Sequence, residues 1–123
     1  ERKEFASRER FPEADRIIVS EPGTAIGKIK GVDSAYIVVV TRGHLKDEEA
    51  LLSVINHNPR YIGMIGSKEK NALIFQHLKE KGIDEENITK IFAPIGLKIG
   101  AKTPEEIAIS ILAEIIKVKR GKN

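Results

Sequence analysis

The sequence predicts a parallel α/β fold, a sheet flanked by helices, and three observations predict it. Short runs rich in Ile and Val alternate with longer stretches of helical spacing, the order that crossover connections impose. Tyr36, Ile37, Val38, Val39 and Val40 form one unbroken apolar block, rich in β-branched residues, as expected of a central strand covered by helices on both faces. Thr103-Pro104-Glu105-Glu106 reads as a helix start, with Thr as the N-cap, Pro at the first helical position and Glu106 closing a capping box.

In chain order, strands are predicted over residues 16–20, 35–41, 61–65 and 91–93. After the second of these a helix is predicted over 47–55, with Leu51, Leu52 and Ile55 on one side; Asn58-Pro59 stops it and makes His57 a helix-end residue. A second helix is predicted over 67–81, capped by Ser67, with Ile74, Phe75 and Leu78 on one stripe and Gly82 just past its end. The last helix carries Ile107, Ile111, Ile115 and Val118 as its buried stripe, with Ala108 and Leu112 beside it. Residues 21–34 carry no readable pattern, and no repeat, low-complexity tract or linker interrupts the chain.

At 123 residues the length fits one domain, 1–123, since domains run to roughly 150 residues. With 41% apolar and 32% charged residues, the chain has the composition of a folded globular protein rather than a disordered or fibrous one. A net charge of +3 is weak support for nucleic-acid binding, and Lys117, Lys119, Arg120 and Lys122 suit a helix C-terminus as readily as a polyanion. The absence of cysteine excludes disulfides, thiolate metal sites and a Cys nucleophile. No apolar run approaches the roughly 20 residues of a membrane span, so no membrane is expected as partner; the small net charge leads us to expect no nucleic acid either, and a cytoplasmic location is expected.

In an open parallel sheet ligands bind beyond the carboxyl ends of the strands, which directs attention to three loops. Thr41-Arg42-Gly43-His44 brings an Arg fork and an imidazole to the end of the 35–41 strand; its plainer alternative is a loop Arg and a surface His. Gly63-Met64-Ile65-Gly66-Ser67-Lys68 turns a strand into a helix N-terminus, where free N–H groups, the Ser67 hydroxyl and the Lys68 ammonium suit a phosphate. A strand-to-helix turn with a Ser cap explains the same residues. Residues 93–101 join the last strand to the last helix, stiff at Pro94 and open to positive φ at Gly96 and Gly100; they serve either as a packed connection or as a ligand wall.

Other chemistries fit poorly. His44, His57 and His77 are scattered without a carboxylate pair, so no metal site is expected. No Gly-x-Ser-x-Gly elbow appears, and Gly23 and Gly27 lack the flanking strand and helix that a dinucleotide fingerprint requires.

Several blocks occur together in one order: Glu4-Phe5-Ala6-Ser7-Arg8-Glu9-Arg10-Phe11-Pro12-Glu13-Ala14-Asp15, Thr41-Arg42-Gly43-His44, Pro59-Arg60-Tyr61-Ile62-Gly63-Met64-Ile65-Gly66-Ser67, Ala93-Pro94-Ile95-Gly96-Leu97, and Thr103-Pro104-Glu105-Glu106-Ile107-Ala108. In these blocks, over nearly its whole length, the chain resembles the C-terminal Rossmann-like domain of the XdhC/CoxI family, the xanthine dehydrogenase accessory factors. The resemblance implies a Rossmann-like three-layer parallel sheet. It also implies a non-catalytic accessory role: binding molybdenum cofactor (molybdopterin) or a related nucleotide, supporting its sulfuration, and delivering it to a molybdenum hydroxylase apoenzyme, with a cysteine desulfurase as a further partner.

On this resemblance Thr41, Arg42, Gly43 and His44 would line one wall of a cofactor site, with Arg42 as a bidentate phosphate contact. Gly63, Gly66, Ser67 and Lys68 would form the anion cradle, and Pro94, Ile95 and Gly96 the third side. Lys98 departs from the family, which usually carries Asp there. The family's first strand, its Gly-Ala-Gly-His-type turn and the following helix have no counterpart here, so residues 16–20 would be the third strand of a 3-2-1-4-5-6 sheet lacking its centre. That leads us to expect a fragment of a longer polypeptide, or a chain that pairs with another or swaps strands, with a homodimer as the expected assembly. Two alternatives stand beside this reading: an NAD(P)-binding oxidoreductase domain, and a pure interaction domain without a small ligand.

Overall fold

The computed structural model describes Ser7, Glu9, Arg10 and residues 12–18, 29–41 and 43–121. After a 3₁₀ turn over Val32–Ser34 come strand β1 (Tyr36–Val39), helix α1 (His44–Val54) with a 3₁₀ extension over Ile55–His57, strand β2 (Tyr61–Met64), and helices α2 (Lys68–Glu80), α3 (Glu85–Thr89) and α4 (Pro104–Lys119). β1 and β2 pair in parallel with Tyr36 opposite Tyr61 and Val39 opposite Met64, so β1, α1 and β2 form a crossover unit.

The two sheet faces receive different layers because successive side chains alternate. Val39, Ile62 and Met64 join Leu51 and Val54 of α1, Ile74 and Leu78 of α2 and Ile88 of α3 in one buried cluster. Tyr61, on the other face, reaches Glu114 of α4. Helices α1–α3, the sheet and α4 are therefore three layers of an α/β fold.

The predicted starts of α2 and α4 and the stop after α1 are present, while α1 itself starts at His44, three residues before the predicted Asp47. Ser67 accepts a hydrogen bond from the Lys70 N–H, and Asn58 ends the α1 extension in the left-handed region at φ 54°. Thr103 and Glu106 form the reciprocal capping box. The N–H groups of Lys102 and Thr103, at 2.8 and 3.1 Å from Glu106 Oε1, hold that carboxyl below the usual carboxylate range.

Four expectations require correction. Residues 16–18 are not in a strand, because no described segment offers them a partner ladder; Val19 and Ser20 lie outside the described residues. The 91–93 strand is reduced to one parallel bridge between Gly63 and Phe92. Phe92 N–H donates to Ile62 O and Met64 N–H to Phe92 O, but the next donor in the ladder falls on Pro94, which has no N–H, and Ile95 N–H reaches Met64 O instead. Among the described residues β1 is covered on one face only, since Val38, and Val40 just past the strand, are 41% and 57% exposed. In α4 the buried positions are Ser110 and Glu114, with Ile107, Ile111, Ile115 and Val118 half-buried, while Ala108 and Leu112 face outward. Apolar periodicity places the inner face only approximately when its deepest residues are polar.

One polar clamp ties α1 to α2. Buried Glu48 places Oε1 at 2.8 Å from His77 Nδ1 and Oε2 at 2.7 Å from Lys81 Nζ. Burial pushes the Glu48 carboxyl up, but the hydrogen bonds and charges of Lys81 and His77 together outweigh it and leave the carboxyl below its ordinary value of 4.5. A carboxyl depressed in the folded state contributes stability above its unfolded value and loses it as pH falls through the folded one. Stability measured by urea unfolding is therefore expected to decline below pH 4.5, and Glu48→Gln, costing about 1 kcal/mol at neutral pH because both partners are half-exposed, is expected to flatten that decline.

Candidate functional site

The pairing of Val39 with Met64 sets the loops that follow β1 and β2 side by side at the carboxyl edge of the sheet. The third loop joins them through the 3.0 Å bond from Ile95 N–H to Met64 O. Three chain segments far apart in sequence thus meet at one edge, where helix N-termini also point.

The first loop is held by Thr41. Its Oγ1 lies 2.6 Å from Asp47 Oδ1 and 2.9 Å from the Gly43 carbonyl, and it accepts a 3.3 Å bond from the Gly43 N–H. The Thr41 hydroxyl is thereby engaged in shaping the turn into α1, and buried Asp47, one turn inside that helix, is its anchor. Gly43 has open space where a Cβ would stand. His44 is the first residue of α1. Arg42 lies outside the described residues.

The second loop leaves β2 through Ile65, whose N–H donates to Val39 O at 3.2 Å, and turns at Gly66 with φ 132°. A side chain would be strained there, and a Cβ would come within 3.1 Å of Asn71 Oδ1. Ser67 then caps α2, its oxygen 3.2 Å from the Lys70 N–H, and exposed Lys68 begins the helix. Both readings of Ser67 meet in this geometry, because a capping hydroxyl keeps its own proton to donate.

Asn71 is the residue beside this turn that the sequence reading missed. It is 2% exposed, its Nδ2 donates to Gly66 O at 3.4 Å, and its Oδ1 is buried without any donor. An acceptor in that state costs about 1–3 kcal/mol. The position reads as one more polar residue in a helix, and only the turn folding back at Gly66 shows its purpose.

The third loop is tied down through Glu114. Glu114 Oε1 accepts the Tyr61 hydroxyl at 2.7 Å and the Gly96 N–H at 2.9 Å. Burial, then the bond to this carboxylate and its charge, raise the Tyr61 phenol well above its ordinary value. Gly96 has φ 98°, and its Cβ position is occupied by the Ser110 hydroxyl; Leu97 N–H donates to Ser110 O at 3.2 Å. Gly63 lies inside β2, where the side chain of Ile95 and the Tyr61 hydroxyl fill the space of a Cβ. The Ala93–Pro94 peptide is cis and Pro94 is exposed.

A cleft of about 320 Å³ opens at the opposite, amino edge of β2, lined by residues that include Asn58, Arg60, Lys90, Phe92 and Val118. None of the predicted site residues lines it. The donor groups of the α2 N-terminus and the orphaned Asn71 oxygen are at the carboxyl edge instead. Among the described residues no group of His, Asp and Glu side chains is arranged to hold a metal ion, and no helix is long and apolar enough to cross a membrane.

Residues 1–115 match the family model of the XdhC Rossmann domain. The chain is 36% identical over 120 residues to the uncharacterized protein YqeB of Escherichia coli, covering 97% of this chain and 22% of that protein. It is 32% identical over 112 residues to a probable xanthine dehydrogenase subunit of Bacillus subtilis, covering 89% and 31% respectively. It is also 32% identical over 89 residues to the molybdenum cofactor insertion chaperone PaoD of E. coli, covering 72% and 28%. The chain thus spans between about a fifth and a third of the length of these relatives. A crystal structure of a xanthine dehydrogenase from Bacillus halodurans superimposes with a TM-score of 0.82 at 33% identity, covering 99% of this chain and 34% of that one.

Proposed function

The chain belongs to the XdhC Rossmann-domain family, and on that premise we propose that it acts in the maturation of a molybdenum hydroxylase, holding molybdenum cofactor as cargo at the carboxyl edge of its sheet. The observation that carries this reading is the pairing of opposite chemistries at the Gly66 turn. The α2 N-terminus offers N–H groups, the Ser67 hydroxyl and the Lys68 ammonium to a phosphate, while Asn71 Oδ1 lies beneath the turn lacking a donor. A phosphorylated pterin brings both complements, a dianionic phosphate and a ring edge rich in N–H donors. In this reading Arg42, Gly43 and His44 supply the wall beside β1, with Arg42 proposed from the sequence as a bidentate phosphate contact, and Pro94 and Gly96 close the third side. Gly63 and Thr41 act from behind, by shaping the loops.

The maturation role is further supported by what two relatives are, a cofactor insertion chaperone and a probable xanthine dehydrogenase component. The cofactor is handed on to the apoenzyme after sulfuration. A cysteine desulfurase is the further partner of this reading. The role is an assisting one, exercised in the cytoplasm.

Titration calorimetry of the purified chain with molybdopterin tests the reading. Saturable binding is expected, with Lys68→Glu weakening it about tenfold or more through charge reversal at the helix N-terminus. Asn71→Leu separates ligand chemistry from structure: removing an unsatisfied acceptor is expected to leave the melting temperature of the free protein nearly unchanged while weakening molybdopterin binding. No binding by the wild-type chain, or binding indifferent to both substitutions, overturns the proposal.

A further inference from the structure

The cleft at the amino edge of β2 is built from a different chemistry. Its volume of about 320 Å³ lies at the lower end of the range for small-molecule sites, room for a body of one or two rings and too little for a dinucleotide. Its floor is apolar, with Ile55, Ile91 and Val118 set around an aromatic pair. Phe92 stacks on buried Tyr61, ring centroids 4.9 Å apart and planes 21° from parallel, and its own half-buried ring lines the cleft. Glu114 accepts the Tyr61 hydroxyl from behind, which fixes that floor in place.

The rim carries unpaired positive charge. Because Phe92 lies parallel to Gly63, the residues that lead into these two segments, Lys90 and Arg60, come to the same end of the sheet. Both are exposed, and neither pairs with a carboxylate among the described residues; Glu85 of α3 is taken by Lys79 at 3.1 Å. Nor do they complement the end of a long helix. Arg60 stands two residues beyond the left-handed Asn58 that ends the α1 extension, and α3, which Lys90 follows, is five residues long, so its dipole is small. Asn87, half-buried in the wall of the same cleft, has a side-chain amide without a hydrogen-bond partner among the described residues.

Cations above an apolar, aromatic floor select an amphipathic anion. The charged end meets Arg60 and Lys90, while a ring body packs on Phe92 and displaces water from Ile91 and Val118. An inorganic anion would leave the floor wet, and an uncharged aromatic would leave both cations unmatched. We propose that this cleft is a binding site for a small organic anion with a planar body of one or two rings and a carboxylate or equivalent acid group. The site stands at the opposite end of the sheet from the Gly66 turn, and its occupancy does not depend on what that turn holds.

Heteronuclear NMR titration of the full chain with 2-naphthoate, a two-ring carboxylate, tests the site. Saturable shifts are expected at the amides of Arg60, Lys90, Phe92 and Val118, with those from Gly66 to Asn71 unmoved. Arg60→Glu combined with Lys90→Glu is expected to weaken binding about tenfold or more, and the neutral isostere 2-naphthamide to bind the unaltered chain more weakly by a similar factor. Both substitutions fall at exposed positions, and circular dichroism melting verifies that the variant folds. Should it not, Arg60→Ala and Lys90→Ala singly take its place, each expected to weaken binding severalfold. No saturable binding, shifts centred on the Gly66 turn, or equal affinity for naphthoate and naphthamide overturns the proposal. Binding indifferent to loss of the two cations does so as well.

Discussion

Replacing Gly96 by alanine is expected to cost about 3 kcal/mol and to lower the melting temperature by roughly 10 °C. Two penalties combine. The left-handed φ of 98° is unfavourable for any residue with a Cβ, by about 1 kcal/mol or more, and the new methyl would collide with the Ser110 hydroxyl, with α4 backbone directly behind it. Ser110 has little room to yield, since its Oγ donates to Ile107 O at 2.7 Å and its carbonyl accepts the Leu97 N–H. Gly100→Ala provides the control. Its φ of 77° is also left-handed, but nothing lies within 4 Å of its Cβ position, so only the backbone term of about 1 kcal/mol is expected. Equal losses in thermal unfolding for the two variants would show that the contact with Ser110 contributes nothing.

Glu114→Leu is expected to be the other severe substitution, at about 2–4 kcal/mol, because it leaves the buried Tyr61 hydroxyl and the Gly96 N–H without an acceptor. Glu114→Gln retains an oxygen able to accept both bonds and is expected to cost no more than about 1 kcal/mol. Urea unfolding distinguishes them, and Tyr61→Phe combined with each shows how much of the loss runs through the phenol. The same contact sets an alkaline limit. Tyr61 is raised in the folded state, so its contribution is fully present below its unfolded value of 10.0 and is lost as pH rises beyond it, where only the unfolded chain ionises readily. The Tyr61→Phe variant is expected to lose that share of the decline above pH 10, whatever its stability at neutral pH.

Much of the fold was legible in single residues whose effects are local. Ser67 and the Thr103–Glu106 box define helix starts because a cap acts within one turn, and Asn58 stops α1 for an equally local reason. The candidate loops were legible because a parallel sheet directs its carboxyl ends to one edge regardless of its other strands. The short ladder at Phe92 was legible in principle, since Pro94 announces the missing donor, but strand length depends on where that donor would fall against β2. The outer face of α4 was misjudged at Leu112. Counting Ile and Leu at helical spacing cannot tell an inner stripe from an outer one when both are apolar and the deepest positions are Ser110 and Glu114.

By itself the sequence determined the order of elements, the caps that bound them, the parallel α/β class and the resemblance to the XdhC family, all of which depend on composition, short-range spacing and motif order. Only the tertiary structure decided that Glu114 serves Tyr61, 53 positions away, and Gly96, and that Asn71 lies beneath Gly66 with an unmet acceptor. Periodicity states which side of its own element a residue occupies. Which group stands opposite it is decided when the layers pack, and that is where a polar residue on a helix becomes an anchor or a site.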